Sequence, residues 1–278
     1  MAPEPGRQGA PTAGTRPQLP GENVDAARMP AHWLLARVGK RVLRPGGRRL
    51  TLGLLDRLDV TGRDRVVEFA PGVGGTTRLI VARRPAGYTG VERDPRAAAV
   101  VRGLLENPAY TCRAAYARST GLGDSSATVV VGEAYLSMLP DPAKRRIVAE
   151  AFRILEPGGR FGLHELALLP DDAPEAEQEA VRRRLSEAVH VGARPLTVEG
   201  WRCLLEGAGF VVAHQAPMPM ELLRPGRMVQ DEGLLRALAI VTRIVRDRRI
   251  RARVRTLRRT FRGLDEHICA VGMVARKP

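Results

Sequence analysis

The sequence predicts an α/β fold: a doubly wound, mostly parallel sheet with helices on both faces. Three observations lead there. Short β-branched runs alternate with stretches of helical periodicity between about residues 61 and 168. The first of these runs, Arg65–Phe69, ends in a turn rich in small residues, Ala70-Pro71-Gly72-Val73-Gly74-Gly75, that opens a helix. The chain finishes on another apolar run, Cys269–Ala275, after a long helical stretch.

Composition narrows the class. The chain has 278 residues, 44% of them hydrophobic, enough for one large domain with a sizeable core. Residues 1–30 are rich in Pro, Gly, Ala and Arg and lack apolar periodicity, so they are expected to be a disordered tail before a single domain at 31–278. No run is apolar enough to span a bilayer and no apolar N-terminal segment marks a secretory signal, which makes the cytoplasm the expected location. Cys112, Cys203 and Cys269 are far apart, form neither a metal spacing nor a disulfide framework, and read as thiols packed like small hydrophobes; no metal is expected. The net charge of +15 suggests anionic partners. Codon bias competes as the explanation: only Lys40, Lys144 and Lys277 are lysines among 45 basic residues, and the arginines are spread over many segments.

Taken in order, residues 31–43 place Trp33, Leu34, Val38 and Val42 at helical spacing until Arg44-Pro45-Gly46-Gly47 breaks the pattern. A second helix runs from about Arg49 to Leu58, so 31–60 form N-terminal helices ahead of a core at 61–168. Within that core a helix at Thr76–Ala82 follows the glycine turn. The second strand is Tyr88–Glu92, the next helix Arg96–Leu105, the third strand Tyr110–Arg113 and the fourth Ala127–Gly132. An amphipathic helix at Asp141–Leu155 precedes a sharp Glu156-Pro157-Gly158-Gly159 turn and a fifth strand at Arg160–Glu165. Beyond it, 169–278 read as substrate-side helices (171–190 and Thr197–Gly207, the latter capped by Thr197), a sixth strand at Phe210–His214, a two-helix insertion within 215–266 and the seventh strand. The insertion carries a broad apolar face at Glu232–Val245 and a narrow stripe, Ile250, Val254, Leu257, Phe261 and Leu264, among arginines. A solvated face is the plain reading of those arginines; contact with the phosphates of RNA or lipid is the functional one.

A glycine turn after the first strand of such a sheet is a nucleotide site by position. A dinucleotide fingerprint requires G-x-G-x-x-G, and here the third position is Thr77; no Lys-Ser/Thr pair follows the turn as in a P-loop. The stretch Glu68-Phe69-Ala70-Pro71-Gly72-Val73-Gly74 resembles motif I, E/D-x-G-x-G-x-G, of class I S-adenosylmethionine-dependent methyltransferases, with Ala70 in place of the first glycine. Glu92, in Gly90-Val91-Glu92-Arg93, matches that family's acidic residue at the end of strand two. Leu155-Glu156-Pro157-Gly158-Gly159 resembles its turn before strand five. The resemblance covers residues 50–168 by motif and the rest by layout. It implies a Rossmann-like sheet of seven strands, six parallel and the last antiparallel, and S-adenosyl-L-methionine as cofactor. It implies Glu68, Phe69, Ala70, Gly72 and Gly74 around the methionine moiety, with the Glu68 carboxylate near its ammonium, and Glu92 with Arg93 at the ribose. Where relatives carry an Asp-Ala pair at the adenine, this chain has Tyr116-Ala117.

Methyl transfer from a sulfonium relies on holding the nucleophile on the methyl axis, and a base is needed only for an acceptor protonated near neutral pH. The acceptor is expected beyond the carboxyl ends of strands four and five. Glu133 is a candidate there for cofactor contact or for orienting an amine, His164 for general base and Glu165 for orienting His164 or the substrate; capping, salt-bridged or structural roles compete for each. His32, Trp33 and His190 are candidates to line the acceptor pocket, and Met218, Met220 and Met228 to border it. The leading function is methylation of a small-molecule acceptor. RNA methylation, a non-catalytic cofactor-binding regulator and a nicotinamide oxidoreductase stand behind it; few aromatics and no appended RNA-binding module weigh against nucleic acid. A homodimer is left open.

Overall fold

In the computed structural model, residues 25–278 apart from 27, 221 and 224 are described. Strand β1 (Arg65–Phe69) lies in the middle of the sheet, which is why all its residues after Arg65 are buried, Glu68 included. Parallel to it run β2 (Gly87–Glu92) and β3 (Tyr110–Ala114) on one side, and β4 (Ala127–Glu133) and β5 (Leu155–Leu168) on the other. The last strand, β8 (Ile268–Arg276), pairs antiparallel with β5, and β7 (Val211–Pro219) pairs antiparallel with β8 at the edge. The order β3-β2-β1-β4-β5-β8-β7 reverses between β1 and β4, and the carboxyl ends of those two strands form a topological switch point.

Alternation along the strands divides the core. Val66, Val129 and Val131 face α2 (Gly47–Leu58), α3 (Thr77–Val81) and α4 (Pro95–Arg102) through Leu54, Ile80 and Val101. Val67, Val130 and Phe161 face α5 (Asp141–Ile154) and α7 (Val198–Glu206), where Trp201 is fully buried. A third cluster covers the end of β5, built from α1 (Ala31–Arg37), α6 (Glu175–Val189) and α10 (Arg248–Arg262). Two further helices, α8 (Pro225–Glu232) and α9 (Leu234–Arg246), complete the insertion.

The structure departs from the sequence reading in five places. Most of the expected tail lies outside the described residues, but Ala26 and Met29 are buried in the third cluster, so the packed chain starts earlier than 31. The first helix stops at Arg37, because Gly39 adopts φ +99° and turns the chain. The Glu-Pro-Gly-Gly turn lies within a long β5, where pairing jumps from Ala127–Leu155 to Val129–Arg160 and Gly158 takes φ +76°. A two-residue strand, β6 (Leu196–Thr197), joins β5 and brings the sheet to eight strands, while β7 runs on to Pro219 with two prolines that an edge strand accommodates. Among the described residues the insertion holds three helices: Gly233, at φ +79°, separates α8 from α9.

Candidate active site

The turn after β1 is set by backbone geometry. The Ala70 N–H donates to the Val91 carbonyl at 2.9 Å, tying the turn to β2. Ala70, Gly72 and Gly74 all adopt positive φ, at 52°, 58° and 75°. A Cβ on Gly74 would stand 2.3 Å from Leu104 Cδ1, and one on Gly75 2.9 Å from the Arg41 carbonyl oxygen. Thr77, which breaks the dinucleotide fingerprint, has a use here: its hydroxyl donates to Glu68 Oε2 at 2.8 Å.

Glu68 also accepts from the Tyr88 hydroxyl at 2.6 Å. Burial pushes its carboxyl up to about 7, against the opposing pull of the Tyr88 and Thr77 hydrogen bonds. At the end of β2, Glu92 accepts from the Gly72 N–H and, with its other oxygen, from the Asp94 N–H, both at 3.0 Å. The glycine turn and the strand end are therefore clamped by the carboxylate expected at the ribose. Arg93 lines the same cavity, as do Phe69 in its wall and Ala117. Tyr116 is exposed at the rim with the Arg118 guanidinium carbon 4.3 Å from its ring centroid.

Glu133, at the end of β4, is the hub of a buried network. It accepts from Thr51 Oγ1 at 2.6 Å and from the Thr76 hydroxyl, faces His164 Nδ1 at 2.7 Å and pairs with Arg44 Nε at 3.3 Å. Burial alone would raise its pKa; the Arg44 charge, the His164 contact and the Thr51 hydrogen bond outweigh burial and hold it at about 2. His164 is fully buried, with Nε2 against the Pro45 carbonyl and Nδ1 against Glu133. Both ring nitrogens face acceptors and the ring does not line the cavity, so the expected general base is a structural pin instead. Glu165 is likewise fully buried: it accepts from the N–H groups of Tyr135, Leu136 and Ser137 at 2.9, 2.7 and 3.1 Å and caps the 3₁₀ turn Leu136–Met138. It points away from His164 and the cavity, as adjacent strand residues must.

The cavity measures about 410 Å³ and extends from the glycine turn and Glu92 to an apolar end lined by Leu166, Leu185, Val189, Val191, Met220 and Phe261. His32 and Trp33 line it, their rings 4.9 Å apart. Burial, assisted by the nearby Arg93 charge, pushes the His32 imidazole down to about 4. His190 does not reach the cavity: it is exposed and serves as the left-handed C-cap of α6 at φ +56°, although Val189 and Val191 beside it are lining residues. Of the methionines, Met220 lines the cavity and Met228 packs against the third cluster. Sequence reasoning missed Arg44, Thr51, Thr76 and Tyr135. Arg44 and Thr51 come from the segment before β1, and no local spacing ties them to Glu133. The Tyr135 hydroxyl is buried without a hydrogen-bond partner among the described residues.

Comparison with known proteins bears on the fold and on the segment that carries the glycine turn. A family profile described as "Methyltransferase domain" matches residues 66–159, the span from β1 through the turn inside β5. An uncharacterised protein of Haemophilus influenzae is 31% identical over 214 residues, 76% of this chain and 83% of that one. Among solved structures, phosphoethanolamine N-methyltransferase 2 of Haemonchus contortus, in complex with phosphomonomethylethanolamine and S-adenosylhomocysteine, superposes with TM-score 0.68 at 16% identity over 88% of this chain and 56% of that one. A cyclopropane synthase of Mycobacterium tuberculosis gives 0.62 at 15% identity, over 82% and 83% of the two chains. These two likenesses speak to the fold. The matched profile identifies residues 66–159 as a methyltransferase domain, and its span covers the motifs that resemble class I S-adenosylmethionine-dependent methyltransferases.

Proposed function

We propose that the protein methylates an apolar small-molecule acceptor by in-line transfer from S-adenosyl-L-methionine. One observation carries the reading: a single cavity joins the glycine turn and Glu92 to an apolar chamber beyond β4 and β5. Three features of the residues fit the cofactor. Gly72 leaves backbone open at the cavity wall, Glu92 presents a carboxylate at a strand end, and Tyr135, whose buried hydroxyl has no hydrogen-bond partner among the described residues, is a lining residue. When bound, the cofactor supplies a methyl group on a sulfonium, which departs as a neutral thioether.

The chain's own residues supply the rest. Glu92 accepts from the ribose hydroxyls and Glu68 faces the ammonium. Tyr116 and Ala117 flank the adenine. Glu133 fixes Arg44, Thr51 and Thr76 around the turn and thereby acts as a positioning residue. The apolar chamber orders the acceptor and excludes water, which is where most of the rate enhancement of such a displacement arises. His32, held neutral above about pH 4, is the imidazole able to accept a hydrogen bond from an acceptor hydroxyl. The chamber walls named above carry no charge, so an apolar body with one hydroxyl or amine suits them.

The test is calorimetry with S-adenosylhomocysteine and with NADH, on the wild type and on Glu92→Ala, followed by a labelled-methyl screen of apolar hydroxyl- and amine-bearing acceptors. The expected result is binding of the first ligand alone, weakened at least about ten-fold in the variant, and label transfer to an apolar acceptor. Absence of binding by folded protein overturns the assignment of these residues to the cofactor. Label transfer confined to RNA overturns the acceptor class.

A further inference from the structure

We propose that the α9–α10 arm docks the protein on an anionic lipid surface. Helix α9 turns Ala237 and Ile240 to the core. On its other side Leu234, Leu238, Val241 and Val245 recur at steps of four, three and four, so they share one face, and all are exposed. Leu235 beside them is 83% exposed. Scattered surface leucines need no explanation, but a stripe along a whole helix does.

Charge selects the occupant. Every charged side chain within α9 and α10 is an arginine. Arg246, Arg248, Arg249 and Arg251 gather where the two helices meet. Arg251 Nη1 donates to the Val245 carbonyl at 3.0 Å, which places its guanidinium beside the end of the stripe. Asp247, between the helices, is engaged as the N-cap of α10, accepting from the Arg249 and Ile250 N–H groups at 2.9 and 3.1 Å. A second copy of the chain on this face would bring two sets of arginines together. RNA offers phosphates but no place for the leucines. The boundary between anionic headgroups and acyl chains accommodates both. No helix among the described residues is long and apolar enough to cross a membrane, so the contact is peripheral. The same α10 contributes Phe261 to the apolar end of the cavity, which places the arm next to the acceptor chamber. That link rests on the methyltransferase reading; the docking itself does not.

The test is flotation of the full chain with vesicles of phosphatidylcholine alone or mixed equally with phosphatidylglycerol, at low and high salt. It uses the wild type, the double variant Leu235→Asp/Leu238→Asp and the double variant Arg246→Glu/Arg248→Glu. All four positions are exposed; circular dichroism confirms folding and S-adenosylhomocysteine calorimetry is read in parallel. The expected result is flotation with the anionic vesicles only, weakened by salt and reduced at least about ten-fold in each variant, with ligand binding unchanged. Failure of the wild type to float with anionic vesicles at low salt overturns the proposal, as does flotation that the leucine changes leave intact. A dimer that sediments in solution and dissociates in the leucine variant, without vesicle binding, assigns the face to a second copy. Loss of ligand binding with flotation retained strikes the cofactor reading and leaves the docking in place.

Discussion

Glu133 stands between burial and its polar partners, which act on its charge in opposite directions. Burial disfavours its charge, while Arg44, His164 and Thr51 favour it, and the second set prevails. Because the folded value of about 2 lies below the ordinary 4.5, its ionised form stabilises the fold above about pH 4.5, and that contribution is lost as pH falls toward 2. The difference corresponds to roughly 3 kcal/mol. Glu133→Gln leaves Arg44 buried beside a neutral amide and is expected to cost about 3–5 kcal/mol at pH 7 in urea unfolding, with a flatter stability profile between pH 5 and 2. Glu68 has the reverse sign. Its folded value of about 7 lies above 4.5, so the fold takes up a proton there; the stabilisation is complete below about pH 4.5 and is lost as pH rises through 7. Glu68→Gln mimics the protonated acid and is expected to match the wild type at pH 4 and to exceed it by about 1–3 kcal/mol at pH 8. The ammonium proposed above to face Glu68 would drive that proton off. Calorimetry of S-adenosylhomocysteine in buffers of different ionisation enthalpy at pH 6.5 is therefore expected to show proton release in the wild type and none in Glu68→Gln.

The element that concentrates strain is the turn after β1. Ala70 stands at φ +52°, where an L-residue carries about 1–2 kcal/mol of strain. Ala70→Gly relieves it while loosening the unfolded chain, so thermal unfolding is expected to show a change between zero and about 1 kcal/mol in the stabilising direction. Gly74→Val adds positive-φ strain to a clash with Leu104 and is expected to destabilise by about 2–4 kcal/mol and abolish ligand binding. Elements with strong local signals were legible: β1, β2 and β4 from their β-branched runs, the glycine turn from its small residues, α7 from Thr197, whose hydroxyl accepts from the Gly200 N–H at 3.0 Å. Helix α8 was not, because its Pro225-Gly226 start reads as a loop and its stability comes from contact with the N-terminal segment.

That contact acts on the scale of the whole molecule. Glu232 accepts from the Arg41 and Val42 N–H groups at 2.8 and 2.9 Å, and Asp231 accepts from the Arg48 N–H at 2.8 Å. Lys40 is buried between the two carboxylates at 3.7 and 3.8 Å. The insertion thus holds the segment that delivers Arg44 to Glu133, almost two hundred residues before it in the chain. Glu232→Ala is expected to speed hydrogen exchange across 39–46 and to weaken S-adenosylhomocysteine binding by about ten-fold; normal binding with fast exchange would show the two regions to be independent.

The sequence alone determined the doubly wound sheet, the glycine turn and the place of Glu92 at the end of β2, because each depends on residues adjacent in the chain: β-branched periodicity, positive-φ positions and a carboxylate at a strand end. It also named Glu133, but only the tertiary structure decided what that carboxylate does. The sequence offered His164 as a general base and Glu165 as the residue to orient it or the substrate; folding placed one against Glu133 and the Pro45 carbonyl and the other against three backbone N–H groups, and it turned His190 outward. The physical reason is the same in each case. A polar group's role is set by the partners that satisfy it once water is gone, and for these residues the partners come from segments distant in sequence.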